Sequence, residues 1–120
     1  MACSSKPIVA IIGSRSINNI NLSLFIDSFH CGQIISGGAN GVDTIAKNWA
    51  KANKIEYIEY KPNYKIFKNR APLVRDEDMV NAADIIIAFW NGQSTGTLYT
   101  LRYAIKIGRP YICHLIIDLD

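Results

Sequence analysis

Residues 84–117 read DIIIAFWNGQSTGTLYTLRYAIKIGRPYICHLII, and this stretch contains one complete strand–loop–helix–strand unit. The apolar, β-branched run Ile85 to Trp90 predicts a strand buried on both faces, at the centre of a sheet. A glycine-containing loop follows it, and Gly108 and Pro110 end the helix behind that loop. Tyr111 to Ile117 predicts the next strand. The helix has one apolar face, which is formed by Leu98, Leu101, Ala104 and Ile105.

The preceding residues repeat this alternation. Strands are predicted at Ile8 to Ile12, Gln33 to Ser36 and Ile55 to Tyr60, each a short run followed by glycine or proline. Helices are predicted between them, chiefly where apolar residues recur with helical spacing. Those residues are Leu22, Phe25, Ile26 and Phe29 in the first helix, Val42, Ile45, Ala46 and Trp49 in the second, and Leu73, Val80 and Ala83 in the third. Asn40 is the predicted N-cap of the second helix, and Pro72 lies near the first turn of the third.

Five strands alternating with four helices indicate an α/β fold. Right-handed crossovers place the helices on both faces of a parallel sheet, which makes a Rossmann-like three-layer sandwich. The buried fourth strand is predicted to lie beside the first, giving the order 3-2-1-4-5, so the connections reverse direction between strands one and four. Ligands bind at such a switch point, beyond the carboxyl ends of the strands.

Length and composition are those of one globular domain spanning residues 1–120. Hydrophobic residues make up 49% of the chain and charged residues 19%, which is too apolar for a disordered chain, and the 18-residue apolar run of a membrane helix is absent. Met1 to Lys6 does not resemble a signal peptide or an anchor, so we expect a cytoplasmic protein without membrane contact. The odd count of Cys3, Cys31 and Cys113, without CxxC spacing, predicts reduced thiols.

Positive charge is concentrated in one segment. The whole chain carries a net charge of +3, whereas residues 47–75 hold eight basic residues against two acidic ones, a net +6. Part of this segment, residues 61–72, is predicted as a loop. Such a basic excess favours an anionic partner, either a phosphate-bearing small molecule or a nucleic-acid backbone, although scattered lysines on a solvated helix face would read the same way. Aromatic residues interleaved with the lysines are Tyr57, Tyr60, Tyr64 and Phe67.

Three of the four strand-to-helix loops carry residue types that bind anions. The first is Gly13-Ser14-Arg15-Ser16, which offers close backbone approach, two hydroxyls and a guanidinium. The second and third each open a helix, whose free N–H groups and positive dipole end attract phosphate. We therefore expect two glycine-rich helix N-termini to hold a phosphate together. The second loop is Ser36-Gly37-Gly38-Ala39-Asn40-Gly41, followed by Asp43, and the third is Trp90-Asn91-Gly92-Gln93-Ser94-Thr95-Gly96-Thr97.

Two common nucleotide motifs are absent. The first loop reads GSRSIN rather than GxGxxG, and no acidic residue closes the second strand to hold a ribose, which disfavours NAD-dependent hydride transfer. A P-loop is also missing, which disfavours nucleotide hydrolysis through a Walker lysine. The pairs His30-Cys31 and Cys113-His114 lack the spacing of a tetrahedral metal site. Neither a metal nor a cofactor is predicted.

Four strings together resemble the SLOG superfamily, specifically its small YspA-like, cpYpsA-related group. They are GSR at 13–15, SGGANGVDTIA at 36–46, NRAPLVRDEDMVNAADIIIAFW at 69–90 and NGQSTGT at 91–97. The resemblance covers about residues 8–114. More distantly similar families are the Lonely Guy phosphoribohydrolases, the molybdenum cofactor carrier proteins and DNA-processing protein A. The resemblance implies a Rossmann-like fold that binds nucleotides or nucleotide-derived signals, and a homo-oligomer, a dimer or tetramer, paired through helices.

The similarity to the Lonely Guy enzymes implies ligand binding but not their catalysis. Their motif of an arginine followed four residues later by methionine matches Arg75 and Met79, which implies a ligand-binding role for Arg75 at the ribose and phosphate. Their second motif, GGxGTxxE, ends here at Thr100, where the enzymes have the catalytic glutamate. A threonine hydroxyl cannot replace that carboxylate in N-glycosidic cleavage. Asp43, Asp76 and Asp78 are possible substitutes, although aspartates this early in a helix more often cap it.

Three further residues have more than one interpretation. Trp90 either stacks on a base at the mouth of the site or packs beside the buried strand. Asp43 either contacts a ribose hydroxyl, orients the glycine loop or caps its helix. Asn69, just before the third helix, either reaches a phosphate or is simply exposed.

The leading hypothesis is a protein that binds a nucleotide or a nucleotide-derived, ADP-ribose-like molecule as a sensor, carrier or sequestering protein. The enzyme alternative is a phosphoribohydrolase that cleaves the N-glycosidic bond of a nucleoside monophosphate through a relocated carboxylate. A third hypothesis, binding of single-stranded DNA, depends on the basic and aromatic segment.

Overall fold

The structure is a computed structural model that describes residues 6–117, so Cys3 and most of the Met1 to Lys6 segment lie outside the described residues. The strands are β1 (Ile8–Gly13), β2 (Gln33–Ser36), β3 (Glu56–Glu59), β4 (Ile85–Trp90) and β5 (Tyr111–Leu115). The helices are α1 (Val42–Ala52), a four-residue α2 (Tyr64–Phe67), α3 (Ala71–Ala82) and α4 (Thr95–Ile107). None of these helices is long and apolar enough to cross a membrane.

The five strands form one parallel sheet in the order β3-β2-β1-β4-β5, as predicted. β1 lies between β2 and β4, with Ala10 opposite both Ile35 and Ile86. Alternate residues of a strand face opposite sides, so β1 contributes to two cores. Val9 and Ile11 pack in the core on the α1 side, and Ala10 and Ile12 in the core on the side of α3 and α4. The predicted α/β three-layer sandwich is confirmed.

The helix predicted from Leu22 to Phe29 is wrong. Two single 3₁₀ turns replace it, Leu22–Leu24 and Ser28–His30. Each begins at a short polar residue, Asn21 or Asp27, whose side-chain oxygen accepts a hydrogen bond from the backbone N–H two residues later. Such local bonds compete with continuous helix. Only Leu22 and Ile26 of the predicted apolar face are buried; Phe25 is 40% and Phe29 70% exposed.

In the other helices, the structure corrects smaller details of the prediction. Asn40 is not the N-cap of α1: Gly41 occupies that position, with a φ of 78° that favours glycine. Trp49 packs against the core only in part, and its indole N–H donates to the Ser23 hydroxyl. In α4, Ile105 is 57% exposed, and the buried face is formed instead by Thr97, Thr100, Leu101 and Ala104. Gly108 ends α4 in the left-handed conformation, as predicted.

Candidate functional site

A pocket of about 620 Å³ opens at the carboxyl edge of the sheet, beyond the ends of β1 and β4. Its volume lies within the range of small-molecule sites, and its place is the predicted switch point. The walls come from the loops after β1, β2 and β4 and from one side of α3. The lining residues are Ile12, Gly13, Ser14, Arg15, Ser16, Gly37, Ala39, Asp43, Pro72, Leu73, Arg75, Asp76, Met79, Asn91, Gln93, Ser94, Thr95, Gly96, Thr97 and Thr100.

Ser14 and Asn91 join the first and third of these loops. The buried Ser14 hydroxyl accepts a hydrogen bond from the backbone N–H of Asn91 at 3.0 Å. The Asn91 amide then donates to the Ser16 hydroxyl at 3.1 Å, while its oxygen accepts from the N–H groups of Gln93 and Ser94, both at 2.9 Å. The two loops therefore form one connected wall, and both side chains predicted as ligand contacts are occupied in building it.

The start of α4 supplies the anion-binding part of the pocket. Ser94 is its N-cap, and the Ser94 hydroxyl oxygen accepts from the N–H of Thr97 at 3.3 Å. The N–H groups of Thr95 and Gly96 belong to the first turn, where a helix has no acceptors of its own. A Cβ added at Gly96 would meet no protein atom within 4 Å. The backbone of α4 is therefore open to a ligand at this point.

The start of α1 differs, because it is packed beneath the first loop. A Cβ at Gly41 would lie 2.5 Å from the carbonyl oxygen of Arg15, and neither Gly41 nor Asn40 lines the pocket. From the second loop and the first turn of α1, only Gly37, Ala39 and Asp43 reach the cavity. Of the two helix N-termini expected to hold one phosphate, only that of α4 opens on the cavity, and phosphate binding there stays a prediction.

Arg75 ties the ends of β2 and β3 together. Its Nη1 donates to the carbonyl oxygens of Gly37 at 2.8 Å and Tyr60 at 3.3 Å, and its Nε donates to Asp76 at 2.7 Å. The Arg75 side chain is only 13% exposed. Within the described residues its Nη2 makes no hydrogen bond, so one guanidinium nitrogen is left for a ligand. Arg75 is therefore first a positioning residue of the pocket wall.

Two buried carboxyl groups face the same cavity. Burial raises the pKa of Asp43 to about 6, although hydrogen bonds from the Ala39 and Gly37 backbone and the charge of Arg75 oppose the rise. Burial also raises the pKa of Asp76, against the charge and hydrogen bond of Arg75 and against the Thr100 hydroxyl beside it. Thr100, at the position of the Lonely Guy glutamate, thus lies next to a carboxyl from another helix.

Seven predicted site residues do not line the cavity. Trp90 is half-buried and uses its indole N–H to hold the Ser94 carbonyl oxygen at 3.0 Å, and Ser36 is buried beneath the second loop, bonded to the Tyr57 hydroxyl. The other five are Gly38, Asn40, Gly41, Asn69 and Gly92. Ligand binding by the remaining predicted residues stays a prediction.

Six lining residues were not among the predicted ligand contacts: Ile12, Ser16, Pro72, Leu73, Asp76 and Gln93. Of these, Ser16 and Gln93 lie in the predicted anion-binding loops, and Asp76 was considered only as a substitute for the catalytic glutamate. Ile12 was recognisable as the last apolar residue before the Gly13 turn. Pro72 and Leu73 reach the pocket because α3 crosses the carboxyl edge of the sheet, for which the sequence has no local signal.

Most of the basic and aromatic segment lies outside the pocket, which of residues 47–75 is lined only by Pro72, Leu73 and Arg75. The segment includes α2, which occupies part of the predicted loop and exposes Tyr64 by 59% and Phe67 by 41%. Tyr57 and Tyr60, at the end of the sheet, are half-buried. Across residues 6–117, no three histidine, cysteine or acidic side chains are grouped to hold a metal ion.

Comparison with known proteins supports this fold and assigns a family. The family model of the YspA, cpYpsA-related SLOG family matches residues 29–67. Gene 61 protein of Mycobacterium phage D29 is 35% identical over 85 residues, covering 66% of this chain and 68% of that protein. The X-ray structure of DNA processing protein A (DprA) from Streptococcus pneumoniae is similar in fold, with a TM-score of 0.73 at 20% identity over 95% of this chain. The chain spans about half of that protein, 52% of its length. Together with the four sequence strings, these matches show that the chain belongs to the SLOG superfamily, in its YspA and cpYpsA-related family.

Proposed function

We propose that the pocket binds a nucleotide or a nucleotide-derived, ADP-ribose-like small molecule, which the protein senses, carries or sequesters. The observation that carries this proposal is the combination, in one cavity of about 620 Å³, of an open helix N-terminus with an apolar inner wall. A phosphate needs the first environment and a nucleoside the second. Residues 1–120 would act as one nucleotide-binding domain, in the cytoplasm.

The phosphate end is assigned to the start of α4. The N–H groups of Thr95 and Gly96 belong to the first turn, and the exposed Arg15 lines the same pocket. A phosphate there would gain charge-assisted hydrogen bonds from both the helix end and the guanidinium. The Nη2 of Arg75 would add a donor deeper in the cavity.

The nucleoside end is assigned to the inner wall. Ile12 and Met79 are buried apolar side chains, and Leu73 extends this surface towards the opening. Asp43 and Asp76 line the same region and can accept hydrogen bonds from ribose hydroxyls. The site thus has apolar area for a base and acceptors for a sugar.

The test is mass spectrometry of a nucleotide panel incubated with the purified protein. The panel contains AMP, ADP-ribose, cyclic ADP-ribose forms and adenine-type nucleoside monophosphates. A compound that is depleted from solution and recovered intact after heat release supports the proposal. Failure to retain any of these compounds contradicts it. The Arg15→Gln variant should retain less of the bound compound, while Arg102→Gln, on the exposed part of α4, is the matched control.

A second candidate function is N-glycosidic hydrolysis, favoured by the two buried carboxyl groups beside Thr100. With its raised pKa, Asp43 is partly protonated near pH 6 and can donate a proton to the base as the N-glycosidic bond breaks. The Asp76 carboxylate, paired with Arg75, would stabilise the positive sugar carbon until a water molecule adds to it and gives up a proton. The same panel distinguishes this reaction, because free base and ribose phosphate then replace the intact compound. Loss of that turnover in Asp43→Asn or Asp76→Asn would assign the carboxyl groups.

Nucleic acid is a third ligand class, suggested by the name of the DNA processing protein and by the exposed aromatic and basic residues of α2. Aromatic stacking combined with lysines binds single strands with strong salt dependence. Retention of a single-stranded oligonucleotide that is lost on replacing Lys61, Lys65 and Lys68 with Gln would establish it.

A further inference from the structure

The two edges of the sheet differ sharply in their chemistry. At one edge, β3 carries Glu56 and Glu59 and is flanked by Lys54 and Lys61. Charged side chains on an edge strand discourage pairing with another chain. At the other edge, residues 111–117 read YICHLII, with no lysine, arginine, acidic residue or proline. Arg109 and Pro110 precede β5, but unlike β3 the strand itself carries no charge, so its outer edge is the less protected of the two.

The less protected edge also has unused backbone groups. In β5 the even-numbered residues face β4, as shown by the bonds from the Ile86 N–H to the Pro110 carbonyl at 3.0 Å and from the Ile116 N–H to the Trp90 carbonyl at 2.8 Å. The backbone groups of Tyr111, Cys113 and Leu115 therefore point away from the sheet. Within residues 6–117, no strand pairs with this side of β5.

Large apolar side chains surround this edge. Tyr111, Ile112 and Leu115 are 45%, 46% and 56% exposed, and Ile117 beyond the strand is 64% exposed. Phe25, whose ring lies 4.5 Å from that of His114, adds a further apolar surface. Native edge strands are usually short, charged, bulged or covered, and β5 combines regular register with an uncharged surface. Such a surface indicates an interface.

We infer that β5 pairs with β5 of a second copy of this chain, antiparallel across a two-fold axis, to form a continuous ten-stranded sheet. A second copy fits because an uncharged strand meets no like charge when it is paired with itself. Full overlap of the five strand residues places Cys113 opposite Cys113 on the axis and Tyr111 opposite Leu115. These outward-facing residues are then hydrogen-bonded pairs.

The area available is sufficient for a stable pair. The five exposed side chains, roughly half accessible, would each bury about 100 Å², so two copies together bury on the order of 1,000 Å², the lower limit of specific interfaces. Because the two-fold axis reverses the strand direction, the two pockets lie at opposite edges of the joined sheet. Both remain open, so ligand binding does not compete with pairing.

Light scattering after gel filtration at about 100 µM tests the inference. We expect the wild-type protein to be a dimer, and Cys113→Lys to weaken dimerisation at least tenfold, since it places two ammonium groups together on the axis. Ile66→Lys, an equally exposed apolar residue on α2, is the matched control and should remain dimeric. A monomeric wild-type protein, or a dimer that Cys113→Lys leaves unchanged, overturns the inference.

Thiol cross-linking of the folded protein tests the register of the β5 pair without the Cys113→Lys variant. In a Cys3→Ser background, a short bis-maleimide should join two chains through Cys113 and not through the buried Cys31. With Cys113 replaced by Ser, a mixture of Tyr111→Cys and Leu115→Cys chains should cross-link more than either alone. Equal cross-linking in all three samples contradicts the antiparallel register.

Discussion

Replacement of Gly96 by Ala tests the phosphate site without disturbing the fold. Gly96 lies in the first turn of α4 with a φ that is not positive, and its added methyl group would meet no protein atom within 4 Å. Alanine is the better helix former by up to about 1 kcal/mol. The free energy of unfolding should therefore stay equal or rise slightly.

The affinity for the ligand, in contrast, should fall. The methyl group would occupy the space through which a phosphate approaches the Thr95 and Gly96 N–H groups. Loss of one hydrogen bond to a charged group costs about 1.5–3 kcal/mol, which corresponds to an increase of roughly 10- to 150-fold in Kd. Isothermal titration with the compound retained by the wild-type protein, beginning with ADP-ribose, measures this change.

Gly108→Ala is the matched control. Gly108 has a φ of 75° at the end of α4, far from the pocket, and alanine in that left-handed conformation costs about 1–2 kcal/mol. This variant should lose stability in urea unfolding and keep its Kd. An unchanged Kd in Gly96→Ala, in a protein that binds the compound, would refute the assignment of the phosphate to α4.

Three further outcomes follow from the buried groups. Because the folded Asp43 pKa of about 6 exceeds the unfolded value of about 3.9, its contribution to stability falls as pH rises from about 4 to 6, by up to about 3 kcal/mol. Urea unfolding at pH 4.5 and 7.5 should show a smaller loss in Asp43→Asn than in the wild type, and equal losses would contradict the assignment. Arg75→Ala should lower the free energy of unfolding by about 3 kcal/mol, because it leaves carbonyl and carboxyl groups unpaired; a change below about 1 kcal/mol in urea would show that the guanidinium does not brace the strands. Gly13→Ala should cost about 1–3 kcal/mol through overpacking, since its Cβ would lie 2.5 Å from both the Phe89 carbonyl oxygen and Val42, and thermal unfolding that matches the wild type would disprove that contact.

The strand order and the position of the pocket could be predicted from the sequence, because both depend on local patterns of neighbouring residues. β-branched runs such as Ile85 to Trp90 identify buried strands, and the alternation of strands and helices fixes right-handed crossovers. The loops that follow parallel strands therefore all lie at the carboxyl edge of the sheet. Gly108 as the end of α4 was equally local, since glycine adopts the left-handed conformation at little cost.

Of the remaining features, the two 3₁₀ turns are set by local side-chain bonds, and the others by tertiary contacts between residues distant in sequence. Helical spacing from Leu22 to Phe29 gave way to two 3₁₀ turns, because Asn21 and Asp27 bond to their own backbone. Arg75 matched a ligand-binding motif, yet its Nη1 donates to the carbonyl groups of Gly37 and Tyr60, which follow β2 and β3 and lie 38 and 15 residues away. The sequence by itself determined the sheet order and which loops reach its carboxyl edge. Only the tertiary structure decided which helix N-terminus stays open, because the packing of Gly41 against Arg15 depends on how two loops meet in space.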